Sequence, residues 1–101
     1  MSEANKTISE KELLELHFIQ YVSLLANSGM QHLGKIMNPI TGKMEKNLEA
    51  AQATIELISM LKEKTRNNLS ANEETIISDA LANLQLNYAD EINRKEKEDK
   101  K

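Results

Sequence analysis

Apolar positions fall into three blocks of unequal character. Residues 13–26, LLELHFIQYVSLLA, hold ten apolar residues of fourteen. At about 100° per residue, Leu14, Phe18, Tyr21, Val22, Leu25, Gly29, His32 and Leu33 form one helical stripe. Leu13, Leu16, Ile19, Leu24 and Met30 lie outside that stripe, and Glu15, His17, Gln20 and Ser23 do not gather on one face. A helix that is apolar on most sides needs cover on most sides. Ser9 and Glu12 have the S-x-x-E spacing of a capping box, so the first helix is predicted from about residue 10 to 33, with Gly34 as its stop.

The second block is one-sided. Leu48, Ala51, Thr54, Ile55, Ile58, Leu61 and Thr65 share a face, with Glu49, Gln52, Glu56 and Glu63 opposite. Asn47 is placed as its N-cap, and Asn67-Asn68 end a helix predicted over about 48–66. In the third block, Ser70 and Glu73 repeat the capping-box spacing. Ile77, Leu81, Leu84, Tyr88 and Ile92 fall on one side, and Asn72, Asp79, Asn83 and Asp90 on the other, which predicts a helix over about 71–92. Past Asn93 no apolar residue remains, so residues 94–101 are read as a flexible charged tail. Residues 1–8 are read as a disordered leader. No segment repeats another. The expected fold is all-α: a three-helix bundle in a single domain over 9–93.

Between the first two helices lies GKIMNPITGKMEKN, residues 34–47. Asn38-Pro39 should begin a turn, and Gly42 can supply a positive φ. Ile36, Met37, Ile40 and Met44 give this segment an apolar content that a solvated linker lacks, which predicts that it packs back onto the helices.

Composition narrows the picture. A chain of 101 residues allows one domain, and three glycines with one proline leave too little turn chemistry for a many-stranded sheet. Zero cysteines exclude a disulfide framework and a thiolate zinc site. The net charge of −3 divides into +2 over residues 93–101 and −5 over the rest, a poor balance for generic nucleic-acid binding. The opening MSEANKTISEKE has no apolar run for secretion, and the block at 13–26 is shorter than the ~20 apolar residues a bilayer demands. A cytoplasmic protein without a membrane segment is expected. A domain this small has a thin stability margin, which favours oligomerisation.

The loop and the second helix carry a recognisable order of residues. His32-Leu33-Gly34 is followed by Asn38-Pro39-Ile40-Thr41-Gly42, Leu48-Glu49-Ala50-Ala51, Thr54-Ile55-Glu56-Leu57-Ile58 and Glu63-Lys64-Thr65-Arg66-Asn67-Asn68-Leu69-Ser70. Over roughly residues 18–88 this resembles a bacterial family of small proteins classed as a domain of unknown function. Asn67 stands where the family often has Gly, which implies that an asparagine holds a left-handed backbone there. Glu56 stands where Asp is common. The resemblance implies a fold and a constrained loop between the first two helices; it implies no activity, substrate or cofactor.

Candidate chemistry is sparse. His17 and His32 are fifteen residues apart on one helix, about 22 Å, too far to share a metal within one chain. Glu12 with Glu15, and Glu45 with Glu49, lack a third ligand at metal spacing. Thr41-Gly42-Lys43 has the ending of a phosphate loop, but Met37 stands where Gly is needed and Met44 where Ser or Thr is needed. Ser23, Ser28 and Ser59 sit in no nucleophile elbow. The reading is therefore non-enzymatic, with no catalytic residues, no metal site and no cofactor. Asn38, Pro39, Thr41, Gly42 and Lys43 are kept as a candidate loop site for an anion or small molecule, beside Lys46 at the start of the second helix. A further alternative is association with RNA or a ribonucleoprotein through Lys35, Lys43, Lys46 and the basic tail. The leading expectation is an interaction or assembly module for an unknown protein partner. Two accounts compete for the apolar surface of the first helix: a monomeric bundle with that helix between the other two, and, favoured, a dimer through Leu13, Leu16, Ile19, Val22, Leu24 and Met30 with the two first helices crossing around Ile19 to Leu24.

Overall fold

A computed structural model describes residues 8–99. Three helices, α1 (Glu10–His32), α2 (Leu48–Lys64) and α3 (Ala71–Asp99), each pack against the other two. Among the described residues the only sheet-like pairings are two isolated bridges within the α1–α2 loop.

The caps do what their spacing predicts. Glu12 N–H donates to Ser9 Oγ at 3.1 Å, and Ser9 N–H donates to Glu12 Oε1 at 3.0 Å. The bond from Ser9 N–H holds the Glu12 carboxyl below its usual range. At the other end Gly34 takes a φ of 74°, a left-handed turn that lets Lys35 N–H reach Met30 O at 2.9 Å. Asn47 Oδ1 caps α2 by accepting from Ala50 N–H at 3.0 Å. This helix ends at Lys64, two residues short of the predicted 66. There Thr65 Oγ1 donates to Leu61 O at 2.7 Å, and Asn67 adopts a φ of 66° that no α-helix can contain. Ser70 and Glu73 form the second capping box, with bonds of 3.2 and 2.8 Å.

α3 runs through Asp99, beyond the predicted end near Ile92. The helix end expected near Ile92 is thus corrected to Asp99, within the charged segment 94–101. Lys95, Glu96, Lys97 and Glu98 are strong helix formers that need no packing partner, and Arg94 meets Asp90 one turn back at 3.3 Å. The leader predicted over 1–8 falls, apart from the exposed and non-helical Ile8, outside the described residues, as do Lys100 and Lys101.

Val22, Leu33, Ala51, Ile58, Ile77 and Leu84 form the buried core, ringed by partly covered side chains such as Phe18, Leu25, Ile55, Leu81 and Tyr88. Gly29 faces Leu84 of α3 and Thr54 of α2, both within 3.3 Å of where its Cβ would stand. Val22 is fully buried in this core and so cannot belong to an outward interface, which corrects its place in the predicted set. The loop corrects a second expectation. Ile36, Met37, Ile40 and Met44 stay exposed, Ile40 to 92%, because the loop is held to the body by charged residues instead.

Candidate functional site

The α1–α2 loop is a short hairpin built from its own bonds. At its base, Leu33 pairs with Lys46, and Asn47 N–H donates to His32 O at 2.7 Å. Nearer the tip, Asn38 N–H donates to Lys43 O and Gly42 N–H to Asn38 O, both at 2.8 Å. Asn38 Oδ1 accepts from Ile40 N–H at 2.9 Å, and its Nδ2 donates to Glu45 Oε1 at 3.0 Å. Gly42 has the positive φ, 70°, that closes the turn. Lys43 N–H reaches Thr41 Oγ1 at 3.3 Å. Asn38, Thr41, Gly42 and Lys43 are thus brought together by one tight turn, with Pro39 exposed beside them.

Beneath the hairpin sits Glu91, only 3% exposed. It falls seven residues after Leu84 and fourteen after Ile77, so a carboxylate continues the buried stripe of α3. Lys35 Nζ lies 2.8 Å from its Oε2, and Lys46 Nζ 2.6 Å from its Oε1. The Lys46 contact is off the hydrogen-bond direction, so Oε1 gains charge compensation without a directed hydrogen bond. Lys35 also donates to Asp90 at 3.0 Å, and Arg94 completes the cluster. The close contact with Lys35, then that with Lys46, lowers the Glu91 carboxyl to about 2, outweighing its burial. Glu91 is the main cause that raises the Lys35 ammonium, and the hydrogen bond from Lys35 lowers the Asp90 carboxyl. Lysines from both ends of the hairpin are therefore clamped onto α3. Of the three loop lysines considered for an anion or RNA, Lys35 and Lys46 are committed to Glu91, and Lys43 alone is in no ion pair among the described residues.

At the far end of the molecule an open groove of about 720 Å³ separates the first turns of α1 from the α2–α3 turn. Leu14, Phe18 and Leu69 provide its apolar surface, and Glu12, Glu15 and Glu73 outnumber Lys11 around it. Ser70 Oγ donates to Glu15, tying the two segments together. No sequence pattern announced this groove, because its walls come from segments about 55 residues apart.

The outward face of α1 sets apolar side chains among the exposed polar His17, Gln20, Ser23 and Asn27. Leu13, Leu16, Tyr21 and Leu24 are exposed by 41, 42, 49 and 64%. Ile19 and Met30 lie half-buried at its flanks. From Leu16 through Gly34 the chain has no Asp, Glu, Lys or Arg, although 29% of all residues are charged. That charge-free run is visible in the sequence and is the signal that marks this face.

Other candidates stay apart. His17 is exposed, and His32 Nε2 lies 3.4 Å from Ser28 Oγ. Among the described residues no three His, Asp or Glu side chains converge as a metal set. No described helix is long and apolar enough to cross a membrane.

The residues that carry the family pattern have local structural tasks. Gly34 and Gly42 supply positive φ, Asn38 organises the turn, Ala51 and Ile58 fill the core, and Ser70 caps α3. Asn67 does hold the left-handed position where the family often has Gly. No curated protein and no solved structure matches the chain. The family described as Domain of unknown function (DUF1844) matches residues 15–90, and the chain belongs to that family.

Proposed function

We propose that the protein is a non-catalytic interaction module of the cytoplasm that pairs with a second copy of itself through the outward face of α1. The observation that carries this reading is the combination of exposure and missing charge on that face. Charged residues are depleted at the centres of protein interfaces, and apolar and aromatic residues are enriched there. Leu13, Leu16, Tyr21 and Leu24 have that character, and the helix bearing them is free of formal charge from Leu16 onward. The small core points the same way, because six fully buried apolar side chains leave much apolar surface to cover. A fold held without disulfides suits a reducing compartment.

Light scattering at micromolar concentration tests the reading. The chain is expected at twice its 11.4 kDa mass, and Leu24→Glu is expected to return it to a monomer with its helical circular dichroism intact. A monomeric mass for the unaltered chain ends the proposal.

A further inference from the structure

The groove between the first turns of α1 and the α2–α3 turn holds a carboxylate without a charge partner. Lys11, Leu14, Glu15 and Phe18 lie on the stripe of α1 that carries the buried Val22 and Gly29, so the groove opens toward α2 and α3 and not onto the outward face. Its volume of about 720 Å³ falls within the span of about 300–1,000 Å³ that small-molecule sites occupy. Leu14, Phe18 and Leu69 give it an apolar floor, and Phe18 is the one phenylalanine of the chain.

The three carboxylates of the rim have different commitments. Glu12 and Glu73 close the capping boxes of α1 and α3, each accepting from the backbone N–H of its cap serine. Their charge answers the positive ends of those two helices. Glu15 has no such duty. It is half-buried, its one hydrogen bond among the described residues comes from Ser70 Oγ, and no cation pairs with it there. A carboxylate partly withdrawn from water beside apolar surface is stabilised by a cation that can also lie on that surface. Glu15 and Phe18 are three residues apart on α1, the spacing at which side chains on one helix face meet. An ammonium held by Glu15 therefore stands within reach of an aromatic ring, a second source of attraction for a cation. α2 also ends here, with Thr65 in the groove wall, and the negative end of a helix favours the same sign of charge.

Other ligand classes fit less well. An anion would meet like charge at both helix starts. A metal ion finds no three acidic or imidazole side chains converging among the described residues. An uncharged apolar ligand would cover Glu15 further and leave it unpaired. We infer that the groove binds a small organic amine, whose ammonium pairs with Glu15 and whose apolar stem lies across Leu14, Phe18 and Leu69. The site does not depend on the α1 pairing proposed above, which uses the opposite side of the helix.

Nuclear magnetic resonance titration of the full chain with phenethylamine tests this, with phenethyl alcohol and phenylacetate as uncharged and anionic counterparts of similar shape. The amine is expected to shift the amides of residues 11–18 and 65–73 saturably. It should bind about tenfold more tightly than the alcohol, the margin of one charge-assisted hydrogen bond. Glu15→Gln keeps an acceptor for Ser70 while removing the charge, and should bring the amine down to the affinity of the alcohol. Leu14→Ala, at an exposed position outside the core, should weaken amine and alcohol alike by several-fold. Circular dichroism checks that both variants fold; should Glu15→Gln fail to, the comparison of amine with alcohol on the unaltered chain decides alone. Equal binding of amine and alcohol, preference for phenylacetate, or no saturable shifts in the groove at millimolar amine each overturns the assignment. So does a folded Glu15→Gln with unchanged affinity for the amine.

Discussion

Gly29 faces Leu84 so closely that a Cβ on the glycine would come within 2.8 Å of Leu84 Cδ2 and 3.3 Å of Thr54 Cγ2. Gly29 is buried in mid-helix, where glycine normally weakens a helix by about 1 kcal/mol relative to alanine. Its presence fits the packing of α1 against α2 and α3, where a methyl group enters only if the buried Leu84 side chain shifts. Gly29→Ala is expected to be destabilising by about 1 kcal/mol net, as overpacking outweighs the gain in helix propensity. Gly29→Val should cost more. Urea unfolding monitored by circular dichroism measures both, and a stabilised Gly29→Ala would show that Leu84 moves aside freely.

Glu91 sets the acid limb of the stability profile. Its carboxyl titrates at about 2 in the folded chain against an ordinary 4.5, because Lys35 and Lys46 hold the charged form. Its contribution is therefore complete above about 4.5 and lost as pH falls through about 2. Glu91→Gln is expected to be destabilising by about 1–3 kcal/mol at neutral pH, since both lysines lose a charged partner. The difference from the unaltered chain should shrink between pH 4.5 and 2. Lys35 acts in the opposite direction: its raised value means its contribution is present below 10.5 and is lost only at higher pH. Thermal melts across the pH range test this, and parallel profiles for the two proteins would contradict it.

Asn67 occupies a left-handed position with φ of 66°. Asn67→Gly should be neutral or slightly stabilising, whereas Asn67→Val should be destabilising by about 1–2 kcal/mol, because a β-branched residue fits that region badly. Equal stabilities for the two variants would show that the α2–α3 turn relaxes to another conformation.

The outward face of α1 predicts different outcomes at neighbouring positions. Val22→Ala should lower stability by about 1–2 kcal/mol through loss of core contacts. Leu24→Glu, at an exposed position, should leave monomer stability within about 0.5 kcal/mol while removing self-association. Sedimentation velocity and urea titration on the same samples separate the two effects. A stability loss at Leu24 as large as at Val22 would show that the face is covered within one chain.

Much of the fold was legible because its signals are local. Ser9 with Glu12, Asn47, and Ser70 with Glu73 each place a helix start within four residues of chain, and the structure has all three starts there. The amphipathic stripes of α2 and α3 likewise identify Ala51, Ile58, Ile77 and Leu84 as core. Val22 was harder, since nearly every side of α1 is apolar and the stripe alone does not separate core from surface. The loop misled for a different reason. Its apolar residues suggested hydrophobic packing, whereas Lys35 and Lys46 anchor it through Glu91, a pairing between residues far apart in the chain. The groove was invisible for the same reason of distance: Phe18 and Leu69 become neighbours only once the bundle has formed.

The lysine pair on Glu91 has a consequence for how the molecule opens. A surface hairpin of this length would ordinarily exchange its amide hydrogens through small, private fluctuations. Here both strands of the hairpin are anchored to the last third of α3, so releasing the amides of Asn38 and Asn47 also requires breaking contacts to a helix that shares the core. The hairpin and the segment around Glu91 should behave as one cooperative unit in exchange, and damage to either will be felt as looseness in the other.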